Sequence, residues 1–251
     1  MTDAVIETRG LCRQYGAFVA TDHVDFAMKA GDRRALIGPN GAGKTTFLNL
    51  LTGQVMPTSG TVWLNGEDVS QVPMHRRVKR GIARTFQLNT LLRESTVLEN
   101  VQLAVLEHRG QGGKLFGGAR AQRDAAESAM EILGRLAMTE HAGRRVSELA
   151  YGRQRLVEIA IALALQPKVL LLDEPAAGVP PADSHLVLDV IAALPDAIAI
   201  LIIEHDMKLV FRFAERINVL VQGRMLMEGT PADISSDPRV REVYLGKSHH
   251  G

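Results

Sequence analysis

The sequence lacks cysteine pairs, a strong net charge and any long apolar run. Its one cysteine, Cys12, excludes an internal disulfide framework and zinc-finger spacing, which suits a reducing compartment, and predicts a thiol packed in the core. The longest apolar runs, such as residues 197–203, are far shorter than the ~18 residues that cross a bilayer. The first residues have no basic start or apolar segment typical of a signal peptide. We therefore expect a soluble chain that meets a membrane only through a partner.

The charge balance also bears on the kind of partner. A formal net charge of +1 gives no overall field that would attract nucleic acid, so we expect no nucleic-acid partner. One basic run, residues 75–80, is either a solvated helix face, which we favour, or a local patch. The 251 residues, 46% of them hydrophobic, are enough for one large globular domain or two small ones.

A glycine-rich loop follows the apolar segment 35–37 and precedes a predicted helix. Residues 38–45, Gly-Pro-Asn-Gly-Ala-Gly-Lys-Thr, match G-x-x-x-x-G-K-[ST] at every fixed position. Backbone N–H groups of such a loop surround a β-phosphate, the helix directs its positive dipole end at the anion, and Lys44 adds a charge. The Thr45 hydroxyl is suited to Mg²⁺. The loop predicts a nucleoside triphosphate site formed by Gly38, Asn40, Gly41, Gly43, Lys44, Thr45 and Thr46.

Two acidic residues follow the buried strand predicted over residues 169–172. Asp173 and Glu174 stand at its carboxyl end, the edge at which open α/β sheets bind ligands. Asp173 is suited to order Mg²⁺ through its water shell, and Glu174 to orient and deprotonate an attacking water. An acidic helix-capping turn is the alternative. Together with the phosphate loop, however, the pair completes the set of groups that phosphoryl transfer requires.

A histidine follows the second unalternating apolar run, residues 197–203. Because parallel strands end at one edge of a sheet, His205 is expected beside the two carboxylates, in contact with the γ-phosphate. A lone histidine is more often structural, and that alternative stays open for His205. The other motifs favour the functional interpretation.

The remaining patterns predict an α/β chain: a P-loop NTPase-type central sheet, an N-terminal antiparallel β portion and an inserted α-helical subdomain. The insert covers approximately residues 88–155 and contains a glycine-rich surface loop. The predicted strands are 4–8, 24–28, 61–64 (followed by the hairpin turn Asn65-Gly66), 169–172, 197–203, 217–221 and 225–228; helical periodicity covers 98–165, with its loop at 110–118, and 184–194, and a C-terminal helix follows.

In order and spacing, these motifs resemble the ATP-binding cassette (ABC) ATPases over nearly the whole chain, as one domain of residues 1–251. Residues 149–154, Leu-Ala-Tyr-Gly-Arg-Gln, stand where this family has its Leu-Ser-Gly-Gly-Gln signature, with Ala150 in the serine position and Gly152 retained. Gln87 matches the Q-loop glutamine, which in the family senses Mg²⁺ and couples the site to a transmembrane partner. Tyr15 matches the aromatic residue that stacks on adenine, although a core tyrosine is equally compatible with its position.

The resemblance implies a mechanism and an assembly. ATP and Mg²⁺ are the implied ligands, with Thr45, Gln87 and Asp173 on the metal, Glu174 as base and His205 on the γ-phosphate. Two cassettes are implied to enclose two ATP molecules, so that each phosphate loop faces the signature loop of the other subunit, including Ala150 and Gly152. ATP binding closes this dimer, closure moves the membrane subunits, and hydrolysis reopens it.

Four segments are similar in sequence to one subgroup, the ATPases of bacterial branched-chain amino acid importers. They are residues 149–160, 173–178, 202–210 and 243–246. The implied partners are a second ABC ATPase subunit, with a heterodimer favoured over a homodimer, transmembrane permease subunits and a periplasmic or extracellular substrate-binding protein. The implied location is the cytoplasmic face of the plasma membrane, reached through the permease. Relatives in the subgroup import urea, short amides and aromatic acids, so these cargoes are the alternatives.

Two departures from the family pattern leave a further alternative open. Ala150 lacks the hydroxyl that would contact the partner's γ-phosphate, and Pro180-Pro181 replace the usual acidic or amide residue of the D-loop. Both would suit a weakly hydrolysing, nucleotide-binding regulatory subunit. The residues that argue against this alternative are Lys44, Asp173, Glu174 and His205. A lipid-exporter cassette is a weaker alternative. A soluble cassette ATPase acting on ribosomes or DNA would be expected to have paired cassettes, a long coiled insert or a basic tail.

Overall fold

A computed structural model describes residues 3–85, 91–111 and 118–245. The strands are β1 (Ala4–Tyr15), β2 (Phe18–Lys29), β3 (Arg33–Ile37), β4 (Ser59–Leu64), β5 (Glu67–Asp68), β6 (Ile82–Arg84), β7 (Val169–Asp173), β8 (Ala199–Ile203), β9 (Arg216–Val221) and β10 (Arg224–Gly229). The helices are α1 (Lys44–Thr52), α2 (Met74–Val78), α3 (Val97–His108), α4 (Ala119–Arg135), α5 (Tyr151–Ala164), α6 (Pro181–Ala192), α7 (Met207–Phe213), α8 (Pro231–Ser236) and α9 (Pro238–Leu245).

The N-terminal part is an antiparallel sheet, as predicted, with the strand order β2-β1-β4-β5. The first two strands are longer than the predicted segments 4–8 and 24–28, because a long hairpin continues past irregularities at which the apolar alternation is lost. One of these irregularities lies beside Gly10, whose φ of 52° is left-handed. The predicted turn Asn65-Gly66 joins β4 to β5, and both its residues have positive φ.

The central sheet has six strands in the order β10-β9-β3-β8-β7-β6. All neighbouring pairs are parallel except β9 with β10, which form the predicted C-terminal hairpin. Residues of β7 alternate between two hydrophobic clusters, with Leu170 and Leu172 in one and Val169 and Leu171 in the other. Both faces of this strand are therefore buried, which explains its unbroken apolar sequence.

In the helical segment between β6 and β7, α3 ends at His108 and α4 begins at Ala119, on either side of the predicted loop 110–118, whereas the sequence predicted no break between α4 and α5. Helix α3 packs against both α4 and α5, and two short 3₁₀ turns connect α4 to α5. Helix α3 begins with a capping box, in which Thr96 and Glu99 each bind the other's backbone N–H. The limits 88–155 of the inserted subdomain remain a prediction. None of the helices in the described ranges is long and apolar enough to cross a bilayer.

Helix α6 differs from the predicted helix 184–194 at both ends. It begins at Pro181, because proline is favourable at the first helical position, where its missing N–H would have no partner. It ends at Ala192, two residues before the predicted end. The helix therefore starts immediately after the loop that follows β7.

Candidate nucleotide-binding site

The phosphate loop connects the carboxyl end of β3 to the first residue of α1. Gly43, the residue before the helix, has a φ of 101°, which L side chains rarely adopt. A Cβ at Gly38 would overlap the carbonyl oxygen of Leu220, and one at Gly43 would overlap that of Ala20. Both glycines are therefore required by the close approach of neighbouring backbone. The loop has the strand, loop and helix order that the sequence predicts.

Lys44 folds back over this loop from the first turn of α1. Its Nζ donates to the carbonyl oxygen of Gly38 at 2.6 Å and to that of Pro39 at 3.1 Å. Burial lowers the pKa of Lys44, a shift that the charges of Glu174 and Asp173 oppose. The ammonium is held at the loop by neutral acceptors, and an anionic phosphate is a stronger acceptor than either carbonyl.

Glu174 and His205 meet at the carboxyl edge of the sheet. Strands β7 and β8 are adjacent and parallel, so the residues that follow them leave the sheet side by side. Glu174 Oε1 lies 2.7 Å from His205 Nε2. The backbone of Glu174 is left-handed, with a φ of 49°, and its N–H donates to the carbonyl oxygen of Ile203 at 2.9 Å. Such a conformation is uncommon for a residue with a side chain and clusters at functional sites.

Asp173 has a partner that the sequence analysis did not identify. Arg84, the last residue of β6, places its Nη2 2.7 Å from Asp173 Oδ2. Its Nη1 donates to Asn49 Oδ1 of α1 at 2.6 Å. The Arg84 side chain is only 10% exposed, so this charge pair is largely shielded from water. Arg84 therefore fixes Asp173 relative to the helix that follows the phosphate loop. The feature that could have indicated this pairing is the position of Arg84 at the end of β6, the strand next to β7.

Glu204 is a second residue whose role the sequence did not predict. Its Oε1 accepts the N–H of Ala176 at 2.9 Å, and its Oε2 accepts the N–H of His205 at 3.3 Å. Burial raises the pKa of Glu204, and these two N–H groups oppose that shift. The carboxyl group thus connects the loop after β7 to the histidine loop. Its position next to His205 was the available signal.

One open cavity of about 300 Å³ brings most of the predicted residues together. Gly38 is not among its lining residues but accepts the Lys44 hydrogen bond described above. The sequence did not predict Phe18, Ala20, Ala42 or Ile203 as lining residues. The predicted residues that line it are Asn40, Gly41, Gly43, Lys44, Thr45, Thr46, Asp173, Glu174 and His205.

Tyr15 lies at the end of β1, outside the set of residues that lines this cavity. It is 44% exposed, so the core alternative for this tyrosine is wrong. The Arg13 guanidinium carbon lies 4.4 Å from the centroid of its ring. Phe18, its cross-strand neighbour, lines the cavity and is 62% exposed. An aromatic side chain that could stack on adenine is thus available at the tip of the β1–β2 hairpin. That Tyr15 is the stacking residue stays a prediction.

The signature segment opens α5, with Ala150 preceding the helix and Gly152 buried in its first turn. Neither residue lines the cavity described above. The Tyr151 ring covers Gly178 in the loop after β7: a Cβ on Gly178 would lie 3.1 Å from the ring. Arg155 reaches both the Tyr151 hydroxyl, at 3.2 Å, and buried Glu158, at 2.8 Å. The signature helix therefore contacts the D-loop within this chain. Gln87 lies outside the described residues.

Comparisons with known protein families agree with this geometry. The model of the ABC transporter family matches residues 21–177. A second model, of branched-chain amino acid ATP-binding cassette transporters, matches residues 224–250. The first match contains the phosphate loop and the two carboxylates, and the second begins at β10.

Among curated relatives, the chain is 41% identical to the high-affinity branched-chain amino acid transport ATP-binding protein LivG of Escherichia coli, covering 99% of this chain and 100% of that protein. It is 38% identical, with the same coverage, to BraF of Pseudomonas aeruginosa, which has the same description. A crystal structure of an ABC transporter cassette in its ADP conformation superposes with a TM-score of 0.85 at 32% identity, covering 98% of this chain and 100% of that one. A dimeric bacterial ABC cassette superposes at 0.74 and 26% identity, covering 90% and 98%.

Proposed function

The chain belongs to the ABC transporter family, and we propose that it is the ATP-hydrolysing subunit of an importer for branched-chain amino acids. The observation that carries this proposal is the full-length similarity to LivG and BraF. The alignment covers 99% of this chain and all of each relative. The match of the second family model at residues 224–250 supports the same cargo class.

The cavity contains what hydrolysis of a nucleoside triphosphate requires. The loop amides and Lys44 bind the phosphates of ATP, the substrate, and the dipole of α1 favours the same anion. Glu174 orients the attacking water and accepts its proton, and His205, 2.7 Å from that carboxylate, contacts the γ-phosphate. Both residues lie just after the ends of adjacent parallel strands. The N–H of Glu174 donates to the carbonyl oxygen of Ile203 and that of His205 donates to Glu204 Oε2, which holds both close to the reacting groups.

The residues at the cavity also fit Mg²⁺. The Thr45 hydroxyl and the Asp173 carboxylate are oxygen donors of the type that this cation prefers, and they line one cavity. Arg84 holds Oδ2 of Asp173, which leaves the carboxylate oriented by a hydrogen bond in the way that metal-binding carboxylates usually are. When bound, the ion neutralises charge on the β- and γ-phosphates. Gln87 is proposed as a further ligand from the family resemblance.

The proposed assembly has two cassettes at the cytoplasmic face of the membrane, attached through permease subunits. Ala150 and Gly152 lie outside the chain's own cavity, which supports their use across an interface with a second cassette. A heterodimer with a different ATPase subunit is the favoured form. A substrate-binding protein outside the membrane would select the cargo and signal its presence through the permease.

Reconstitution tests the proposed cargo. This chain is purified with the second ATPase, permease and binding protein encoded beside it, and ATP hydrolysis is measured in proteoliposomes with and without ligand. We expect stimulation by leucine, isoleucine or valine, and none in a complex that contains Glu174→Gln. Stimulation only by urea, short amides or aromatic acids would overturn the cargo and keep the ATPase. Hydrolysis at the wild-type rate in Glu174→Gln would overturn the assigned base.

A further inference from the structure

Three side chains with metal-binding atoms converge on the N-terminal sheet, on the edge that faces β10. They are Cys12 of β1 and Asp22 and His23 of β2. One atom from each, the cysteine Sγ, a carboxylate oxygen and an imidazole nitrogen, lie within 4.8 Å of one another. None of the three lines the nucleotide cavity. This cluster is therefore separate from the residues proposed to act on ATP.

The local backbone explains why the three atoms meet. The register of β1 against β2 shifts between Leu11 and Arg13, the two residues that flank Cys12, so the usual alternation of faces is broken there. Across from it, His23 has a left-handed φ of 50° within a strand, and its N–H donates to Cys12 Sγ at 3.1 Å. Such a conformation costs free energy in a residue with a side chain and is retained where the surroundings enforce it.

The polar contacts of Asp22 are divided between two partners. Its Oδ2 accepts from Arg224 at 2.6 Å, whereas its Oδ1 lies 2.6 Å from His23 Nδ1. These two contacts hold the Asp22 carboxylate in one orientation. Arg224 thus orients the carboxylate from outside the cluster, as the outer partners of metal ligands do. A cavity of about 460 Å³, lined by Asp22, His23, Asp25, Arg224 and Met225, opens beside it.

We propose that Cys12, Asp22 and His23 form a binding site for a divalent transition-metal ion of the Zn²⁺ class. A thiolate, an imidazole nitrogen and a carboxylate oxygen are the three ligand types that Zn²⁺ accepts, and three protein ligands leave a position for water from the open cavity. The thiolate and imidazole favour this class over Mg²⁺ or Ca²⁺, which select oxygen ligands. A bound ion would take the place of the direct contact between His23 Nδ1 and Asp22 Oδ1, and the Cys12 thiol would release its proton to water on binding.

Cobalt(II) is the probe that isolates this site, because thiolate ligation gives Co²⁺ a sulfur-to-metal charge-transfer band. Cys12 is the one cysteine of the sequence, so any such band in the full-length protein, without added thiols, arises from it. Co²⁺ is titrated into the protein with and without excess Mg²⁺, and Zn²⁺ is then added to displace it. We expect a saturable band at one equivalent that Mg²⁺ leaves in place and Zn²⁺ removes.

The variants then test each ligand. Cys12→Ser should abolish the band, and Asp22→Asn and His23→Ala should each weaken Co²⁺ binding at least about tenfold. Exposed His75 lies elsewhere on the surface, so His75→Ala is the matched control and should change nothing. Circular dichroism of each variant shows whether it is folded. Absence of the band in the wild-type protein, or a band of unchanged affinity in both folded Asp22→Asn and His23→Ala, would overturn the proposal.

Discussion

At the scale of single residues, the site separates into groups that line the cavity in which ATP is proposed to bind and groups that hold them in place. Lys44, Glu174 and His205 line the cavity, whereas Arg84 and Glu204 lie behind them and act through hydrogen bonds. Glu204 touches both loops that present Glu174 and His205, and Arg84 touches both α1 and Asp173. Loss of a residue that holds another, such as Arg84, should change the Mg²⁺ dependence of ATP hydrolysis. Loss of Glu174 should abolish most of the hydrolysis itself.

Replacement of the proposed base is the first prediction. Glu174→Gln keeps the size of the side chain and its hydrogen bond to His205 but cannot accept a proton from water. We expect ATP hydrolysis to fall at least about a hundredfold, the usual effect of losing a general base. ATP affinity, measured with a fluorescent analogue, should stay within about twofold. A parallel loss of affinity would mean that Glu174 holds the phosphate loop rather than the attacking water.

Arg84 gives a second prediction at this scale. Arg84→Ala releases Asp173 from α1, and we expect the Mg²⁺ concentration for half-maximal hydrolysis to rise about tenfold, the usual effect of losing an outer partner of a metal ligand. Arg84→Lys should restore part of the wild-type Mg²⁺ dependence. Lysine keeps the positive charge but lacks the guanidinium group, whose two terminal nitrogens bind Asp173 and Asn49 at once. Arg80→Ala, which removes an exposed pair with Glu67, is the control. An unchanged Mg²⁺ dependence in Arg84→Ala would contradict the role.

At the scale of elements, the sequence predicted the parts whose signals are local. The phosphate loop, the acidic end of β7 and the hairpin at Asn65-Gly66 each depend on a short run of residues, and the structure has each of them where it was predicted. The pairing of Arg84 with Asp173 is different, because those residues are 89 positions apart and meet through the order of the sheet strands. Likewise, Phe18 reaches the cavity through the length of the β1–β2 hairpin, which the broken apolar pattern concealed.

The contact between α5 and the D-loop gives a prediction at this scale. Gly178 has a φ of 75° and lies against the Tyr151 ring, whereas Gly66 has a φ of 80° and open space around it. Gly66→Ala therefore measures the cost of the backbone conformation alone, about 1 kcal/mol of unfolding free energy. Gly178→Ala should cost at least about 1 kcal/mol more, because its new methyl group meets the ring.

Denaturant unfolding of both variants gives these values. In the Tyr151→Ala background, the difference between the two glycine variants should shrink, since the ring that the methyl group meets is gone. Equal costs for Gly178→Ala and Gly66→Ala in the wild-type background would show that the D-loop moves away from α5 without resistance.

At the scale of the whole molecule, the chain divides its proposed functions between two surfaces. The cavity contains the phosphate loop, Glu174 and His205, but the signature residues Ala150 and Gly152 lie outside it. In a sandwich of two cassettes, damage to this signature would affect ATP held by the partner rather than ATP held by this chain. The proposed assembly can therefore be tested by asking which of the two sites fails.

Gly152→Glu places a carboxylate in the first turn of α5, where it would repel a γ-phosphate brought by a second cassette. For the isolated chain, we expect nucleotide affinity within about twofold of wild type, because Gly152 does not line its cavity. In the assembled complex, hydrolysis should fall at the partner's site, and combination with a base-deficient partner should add little further loss. Because Gly152 is buried, thermal unfolding of the isolated variant must first show that it folds. A folded Gly152→Glu chain that supports full hydrolysis in the complex would exclude the sandwich arrangement, since no partner phosphate would then lie near α5.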